Sequence, residues 1–187
     1  MQKRKQALVG MLKDPDPSVR EAAASALDSL ESLMALDGML EATRHGQRSQ
    51  RVRAIFALDR VNAPDVFKTL LELLEDEEPD IRVTSVRVLG AKKHPKTIGP
   101  LIKKLQDSDP SVKVYTVEAL AEFREPKLLP YFIKILQAKD SLLVCGAIRG
   151  IATLASKEAE EPLLKMLEHS DAQVRREAVL ALEKLHI

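Results

Sequence analysis

The chain has 187 residues, 45% hydrophobic and 30% charged, with four Phe, two Tyr and no Trp, so any core it builds is aliphatic. Its 29 basic and 28 acidic side chains leave a formal charge of +1, and no global field draws it to nucleic acid or an anionic membrane. The single Cys145 excludes an internal disulfide, and no run approaches the roughly 20 apolar residues of a membrane-spanning helix.

In chain order, Lys3-Arg4-Lys5 resembles the basic start of an export signal, but the apolar stretch after it ends at Leu12, before Lys13-Asp14. A soluble, cytoplasmic protein is expected. Helical periodicity then recurs to the end of the chain. One set of predicted helices, the outer set, covers 3–13, 33–44, 64–75, 96–106, 127–138 and 158–169. The inner set covers 17–30, 48–61, 79–91, 110–123, 141–155 and 172–186. Pro17, Pro79 and Pro110 fall in first turns of inner helices, where a missing N–H costs nothing. Pro64, Pro95, Pro126 and Pro130 fall in or near the links before outer helices. The acidic stretch from Glu72 to Glu78 reads as a solvated loop.

These helix pairs are copies. Ungapped steps of 31 residues from Val112 land on Val19, Gln50, Ile81, Leu143 and Val174. Four residues beyond each mark the side chain is small: Ala23, Ala54, Ser85, Thr116, Ala147 and Ala178. Eleven residues before each mark lie Leu8, Met39, Leu70, Leu101, Phe132 and Leu163. A fixed period in this range predicts stacked two-helix units. The expected fold is all-α: a right-handed α-solenoid, or α/α superhelix, of six helix pairs in a single array over 1–187. The repeats are 1–31, 32–62, 63–93, 94–124, 125–156 and 157–187. Val179, Leu182, Leu185 and Ile187 close the last pair with no further outer helix over them. That pattern predicts a longer array or end-to-end self-association through the C-terminal helix.

Asp-Pro-Ser-Val-Arg-Glu-Ala-Ala at 16–23, Asp-Pro-Ser-Val-Lys at 109–113 and Asp-Ala-Gln-Val-Arg-Arg-Glu-Ala at 171–178 resemble the HEAT repeat. The short period and the Ala-Leu pairs are similar to the HEAT-like subclass found in phycobilin lyases. The resemblance implies a hydrogen-bonded row of motif acids (Asp16, Glu78, Asp109, Asp140, Asp171) and bases (Arg20, Arg51, Arg82, Lys113, Arg175). Gln47 and Gln50 in the second repeat, and Val144 in the fifth, depart from it, and the second repeat is expected to be irregular.

Nothing in the sequence makes a positive case for an enzyme. His45, His94, His169 and His186 lack metal-ligand spacing, no phosphate-cradling glycine motif occurs, and Cys145 has no sequence-local His. No cofactor is expected. The exposed arc of the inner helices is more informative. It is expected to hold an apolar line of Val52, Val83, Val114 and Cys145, flanked by aromatic and charged residues. The predicted partner-binding residues are Arg53, Phe56, Arg60, Arg87, Tyr115, Glu118 and Arg149 on the concave face. There Phe56 and Tyr115 would anchor a protein or peptide partner, the arginines would pair acids, and Glu118 would reject acidic competitors. Two other readings stand beside this scaffold. One is chromophore attachment like that of the phycobilin lyases, which the resemblance alone implies. The other is phosphate or nucleic-acid binding through Arg44, His45, Arg48, Arg51, Arg53 and Arg60, a stripe that Glu118 and Glu122 would interrupt.

Overall fold

The structure, a computed structural model, describes residues 2–185. Among them are eleven α-helices and no strand, as the periodicity requires. His186, where the last predicted helix ends, and Ile187 lie outside the described residues. By their contacts the residues divide into two compact units, Met1–Ala57 and Leu58–Ile187.

The first unit holds α1 (Gln2–Met11), α2 (Pro17–His45) and α3 (Arg48–Ala57). Asp16 starts α2 by accepting the Ser18 N–H at 2.8 Å, with Pro17 at the first helical position. The break expected between 30 and 33 is absent, and α2 runs unbroken for 29 residues. Position 33 explains much of this. In the next three repeats the same register position is Pro64, Pro95 or Pro126, each preceded by extended backbone. Here Glu31-Ser32-Leu33 has no proline, and the helix propagates through it. Irregularity therefore falls at the junction of the first two repeats. Packing is sparse in this unit: α1 buries no residue, and the buried apolar side chains are Ala23, Leu27, Leu30, Leu40, Ala54 and Ile55.

The second unit is regular. Outer helices α4 (Pro64–Glu72), α6 (Ile98–Lys104), α8 (Leu129–Ile135) and α10 (Glu160–Met166) alternate with inner ones. The inner helices are α5 (Pro79–Lys92), α7 (Pro110–Ala121), α9 (Ser141–Leu154) and α11 (Ala172–Lys184). The outer helices are shorter than predicted because 3-10 turns at 95–97, 126–128 and 157–159 take up their first residues. Lys93, Arg124 and Ala155, spaced by the repeat, turn the chain out of the inner helices with φ of 50°, 50° and 49°. Each inner helix packs on the next, α5 on α7, α7 on α9 and α9 on α11, while each of α6, α8 and α10 covers the inner helix that follows it. The main contacts thus run within a repeat and between consecutive repeats, as stacking demands.

The core follows the register. All six small positions are buried, in both units. Close approach needs glycine at two places. A Cβ on Gly90 would stand 2.6 Å from the Ala119 Cβ and 2.9 Å from its Cα, and one on Gly150 would meet the Phe132 ring at 3.0 Å.

The implied row of acids and bases takes another form. Asp16, Asp109, Asp140 and Asp171 cap their own helices. Arg20, Arg82 and Arg175 fold back onto carbonyls five and six residues upstream, those of Pro15 and Asp14, Glu77 and Asp76, and Ser170 and His169. Arg51 donates to the Thr43 carbonyl at 2.8 Å. Arg20, Arg82 and Arg175 thereby tie down the loops before their own helices, and Arg51 the last turns of α2; Lys113 does not take part. In the second repeat, where Gln47 stands in place of the acid, the Gln50 side chain accepts the Gln47 N–H at 2.9 Å.

A buried ionic knot links the third and fourth repeats. Arg82 donates from Nε and Nη2 to both oxygens of Asp107 at 3.0 and 2.8 Å. Lys104 donates to Glu75 at 2.7 Å. The side chains of Arg82, Lys104 and Asp107 are 10%, 9% and 5% exposed, which makes this a desolvated cluster. The acidic stretch before α5 is therefore structural in part: Glu75 joins the knot and Asp76 accepts the Glu78 N–H.

Candidate interaction surface

Positions six residues beyond each register mark face outward from the inner helices of the second unit: Arg87 on α5, Glu118 on α7 and Arg149 on α9 are all exposed. They alternate in charge at the repeat spacing. Arg149 Nη2 meets Glu118 Oε1 at 3.2 Å, and the Arg87 guanidinium lies 5.5 Å from the centre of the Tyr115 ring. Four of the seven predicted residues (Arg87, Tyr115, Glu118 and Arg149) are thus brought together on three consecutive helices. Beside them Glu122 Oε2 accepts from Lys93 at 2.9 Å. A shallow cleft of about 260 Å³ is lined by Arg87, Gly90, Ala91, Tyr115, Glu118 and Glu122. Gly90 and Ala91 add no bulk above the backbone, and this leaves the cleft open.

The remaining three predicted residues are exposed elsewhere. Arg53 and Phe56 belong to the first unit, with Phe56 41% exposed and Arg53 Nε donating to the Ser49 carbonyl at 3.2 Å. Arg60 lies in the 3-10 turn Leu58–Arg60 of the second unit.

The apolar line is narrower than expected. Cys145 is 1% exposed and Thr84, beside it in register, 4%; Val52, Val83 and Val114 are half-buried. Inner helices pack side by side as well as on outer helices, so the buried arc is wider than one amphipathic stripe. In α5, α7 and α9 the second and third positions beyond each mark are consequently buried or half-buried, Tyr115 being among the half-buried ones.

The Cys145 thiol is pushed up by burial, and Glu177 adds to the effect, whereas an activated nucleophile needs the opposite shift. Among the described residues no group of three His, Cys, Asp or Glu side chains is placed to hold a metal ion. No described helix is long and apolar enough to cross a membrane. In the arginine-rich second repeat, Glu41 stands 3.5 Å from Arg44 and 3.6 Å from His45, and Arg51 is committed to its carbonyl. Part of that positive charge is therefore spent within the unit.

Family models for HEAT repeats match residues 36–103 and 132–186, and a further HEAT repeat model matches 6–33. The chain belongs to the HEAT repeat family. Among solved structures, this HEAT chain is similar to the complex of CpcE and CpcF of phycocyanin lyase from Nostoc sp. PCC7120, at 20% identity and a TM-score of 0.69. That match covers 80% of this chain and 64% of the other, so the HEAT chain spans less than two thirds of its length. A designed armadillo repeat protein in complex with the peptide (KR)4 matches at 18% identity and a TM-score of 0.57, covering 96% of this chain and 98% of the other. The Escherichia coli protein YibA matches at 19% identity and a TM-score of 0.67, covering 97% and 72%. No curated protein sequence matches significantly. At these identities the likenesses establish an all-helical solenoid of the HEAT and armadillo kind. Fold alone does not carry function.

Proposed function

We propose that this HEAT protein is a non-enzymatic interaction scaffold, soluble and cytoplasmic, that takes a protein segment along its inner helices. The observation that carries this reading is the ladder of Arg87, Tyr115, Glu118 and Arg149, which presents both charge signs and an aromatic anchor at one repeat spacing. An extended peptide bound across successive repeats would meet acid and base in alternation. The exposed pair Arg149–Glu118 opens at little cost, since solvent already screens it. Tyr115 supplies rigid apolar area with a polar tip, the usual make-up of an anchor. Arg53, Phe56 and Arg60 are included among the proposed partner-binding residues. Peptide binding by the designed armadillo neighbour supports the use of this architecture for extended segments.

A selection from a displayed random-peptide library tests the reading. Enriched sequences should carry both charge signs around an apolar residue. Tyr115→Ala combined with Glu118→Lys should weaken them about tenfold or more, with the melting temperature kept. Equal binding by that variant would move the site elsewhere.

Chromophore attachment rests on likeness to the lyase subunits and on no group in this chain. An absorbance titration with a linear tetrapyrrole showing no spectral shift would dismiss it. Phosphate or nucleic-acid binding rests on the arginine-rich second repeat, and a salt titration of oligonucleotide binding tests it. End-to-end association through α11 keeps Val179, 57% exposed, of the residues expected for it; Leu182 is half-buried, Leu185 is buried, and Ile187 lies outside the described residues.

A further inference from the structure

The ionic knot between the third and fourth repeats has a counterpart position in every later interface, and the next one is different. Moving Glu75, Arg82, Lys104 and Asp107 on by one repeat gives Gln106, Lys113, Ile135 and Ala138. Both carboxylates and one cation are gone, and Lys113 is left. All four of these residues line a cleft of about 690 Å³ between α6 and α8, on the outer-helix side of the second unit. The ion pairs that fill one interface are replaced by open space in the next.

Lys113 is also released from its usual task. Arg20, Arg82 and Arg175, at the same register position, are tied to the carbonyls of their own loops, whereas Lys113 makes no side-chain hydrogen bond or ion pair among the described residues. Lys103 and Lys134, one repeat apart on α6 and α8, line the same cleft. They too have no carboxylate within ion-pair distance among the described residues, and no acidic residue lines the cleft. The rest of the lining includes Ile102, Tyr131 and Leu143, with Tyr131 41% exposed.

We infer that this cleft binds an acidic, leucine-rich peptide segment of a partner protein, one of whose carboxylates takes the place that Asp107 occupies in the preceding interface. Three lysines without acids set the charge of the occupant, and Ile102, Ile135 and Leu143 set its apolar part. A peptide fits better than a small amphiphile because the cations are spread over three helices, Lys103 on α6, Lys113 on α7 and Lys134 on α8. The volume lies within the range of pockets that hold ligands of a few residues' size. This site is separate from the inner-helix ladder and does not depend on it.

Fluorescence anisotropy with a fluorescein-labelled peptide Glu-Leu-Leu-Asp-Leu-Leu tests the inference on the full chain. Saturable binding that weakens in high salt is expected, with no binding of the Lys-Leu-Leu-Lys-Leu-Leu peptide. Lys113→Gln should weaken binding about tenfold. Ala138→Asp supplies the absent acid from within, so it should abolish binding while the thermal melt stays as high as that of the parent or higher. Tyr115→Ala should bind the acidic peptide normally, which separates this site from the inner surface. Lack of binding by the parent protein would overturn the inference, as would equal binding by Ala138→Asp. Complete displacement of the peptide by equimolar decanoate would also overturn it, by assigning the cleft to a small amphiphilic carboxylate.

Discussion

Ala155 holds a left-handed backbone conformation, φ 49°, that costs a residue with a Cβ about 1–2 kcal/mol. Arg124 and Lys93 bear the same strain one and two repeats earlier, but Pro126 and Pro95 follow them and enforce the break. At the equivalent position after Ala155 stands Lys157 in place of proline. Ala155→Gly should therefore raise stability by about 0.5–1 kcal/mol in urea denaturation, the gain being reduced by the larger chain entropy of glycine. Asp107 carries a different consequence. Burial pushes its carboxyl up, but the Arg82 hydrogen bond, the Asp109 N–H and the charges of Arg82 and Lys104 outweigh burial and hold it below the ordinary range. A depressed carboxyl stabilises the fold above its unfolded-state value, and the contribution is lost as pH falls through the folded one. Asp107→Asn leaves Arg82 and Lys104 without their acid and should cost about 3–5 kcal/mol at neutral pH. Its deficit against the parent should narrow as pH drops below about 4, a comparison that denaturant melts across pH would make.

At the scale of the helix, α5 approaches α7 closely at Gly90, against Ala119. Alanine is the better helix former by about 1 kcal/mol, yet its Cβ would meet backbone, which cannot swing aside. Gly90→Ala should lower thermal stability by about 1–3 kcal/mol, the cost of overpacking; a more stable variant would mean the two helices part freely. Much of this level was legible in the sequence. The 31-residue period, the prolines at first turns and the small buried positions give the helix pairs and their order. The fused α2 was not legible from period alone, since it depends on what Glu31-Ser32-Leu33 lacks. The knot at Asp107 was hidden for another reason. Lys104 stands at a helical spacing of three, but Arg82 stands 25 residues away, which is neither a helical nor a repeat spacing. On the candidate surface, Arg87, Glu118 and Arg149 could be read from the register because one outward position recurs. Burial of Cys145 and Thr84 could not, because it comes from the sideways packing of inner helices.

For the whole molecule, the two units differ in how much they bury. The first rests on a handful of apolar side chains and an α1 that buries none, while the second has a continuous core from Leu58 to Leu185. Amide hydrogen exchange should therefore reach completion first within 2–57 and last in α5, α7 and α9, in separate cooperative steps. Uniform protection across the chain would contradict that order. The central claim is that a partner segment lies along the inner helices of the regular unit, reading the alternation of Arg87, Glu118 and Arg149 around Tyr115. At 20.8 kDa the protein suits heteronuclear NMR, and titration of an isotope-labelled sample with a library-selected peptide tests the claim most directly. The account predicts saturable shift changes at Arg87, Tyr115, Glu118, Glu122 and Arg149. Changes confined to the outer helices, with these five residues unmoved, would contradict it.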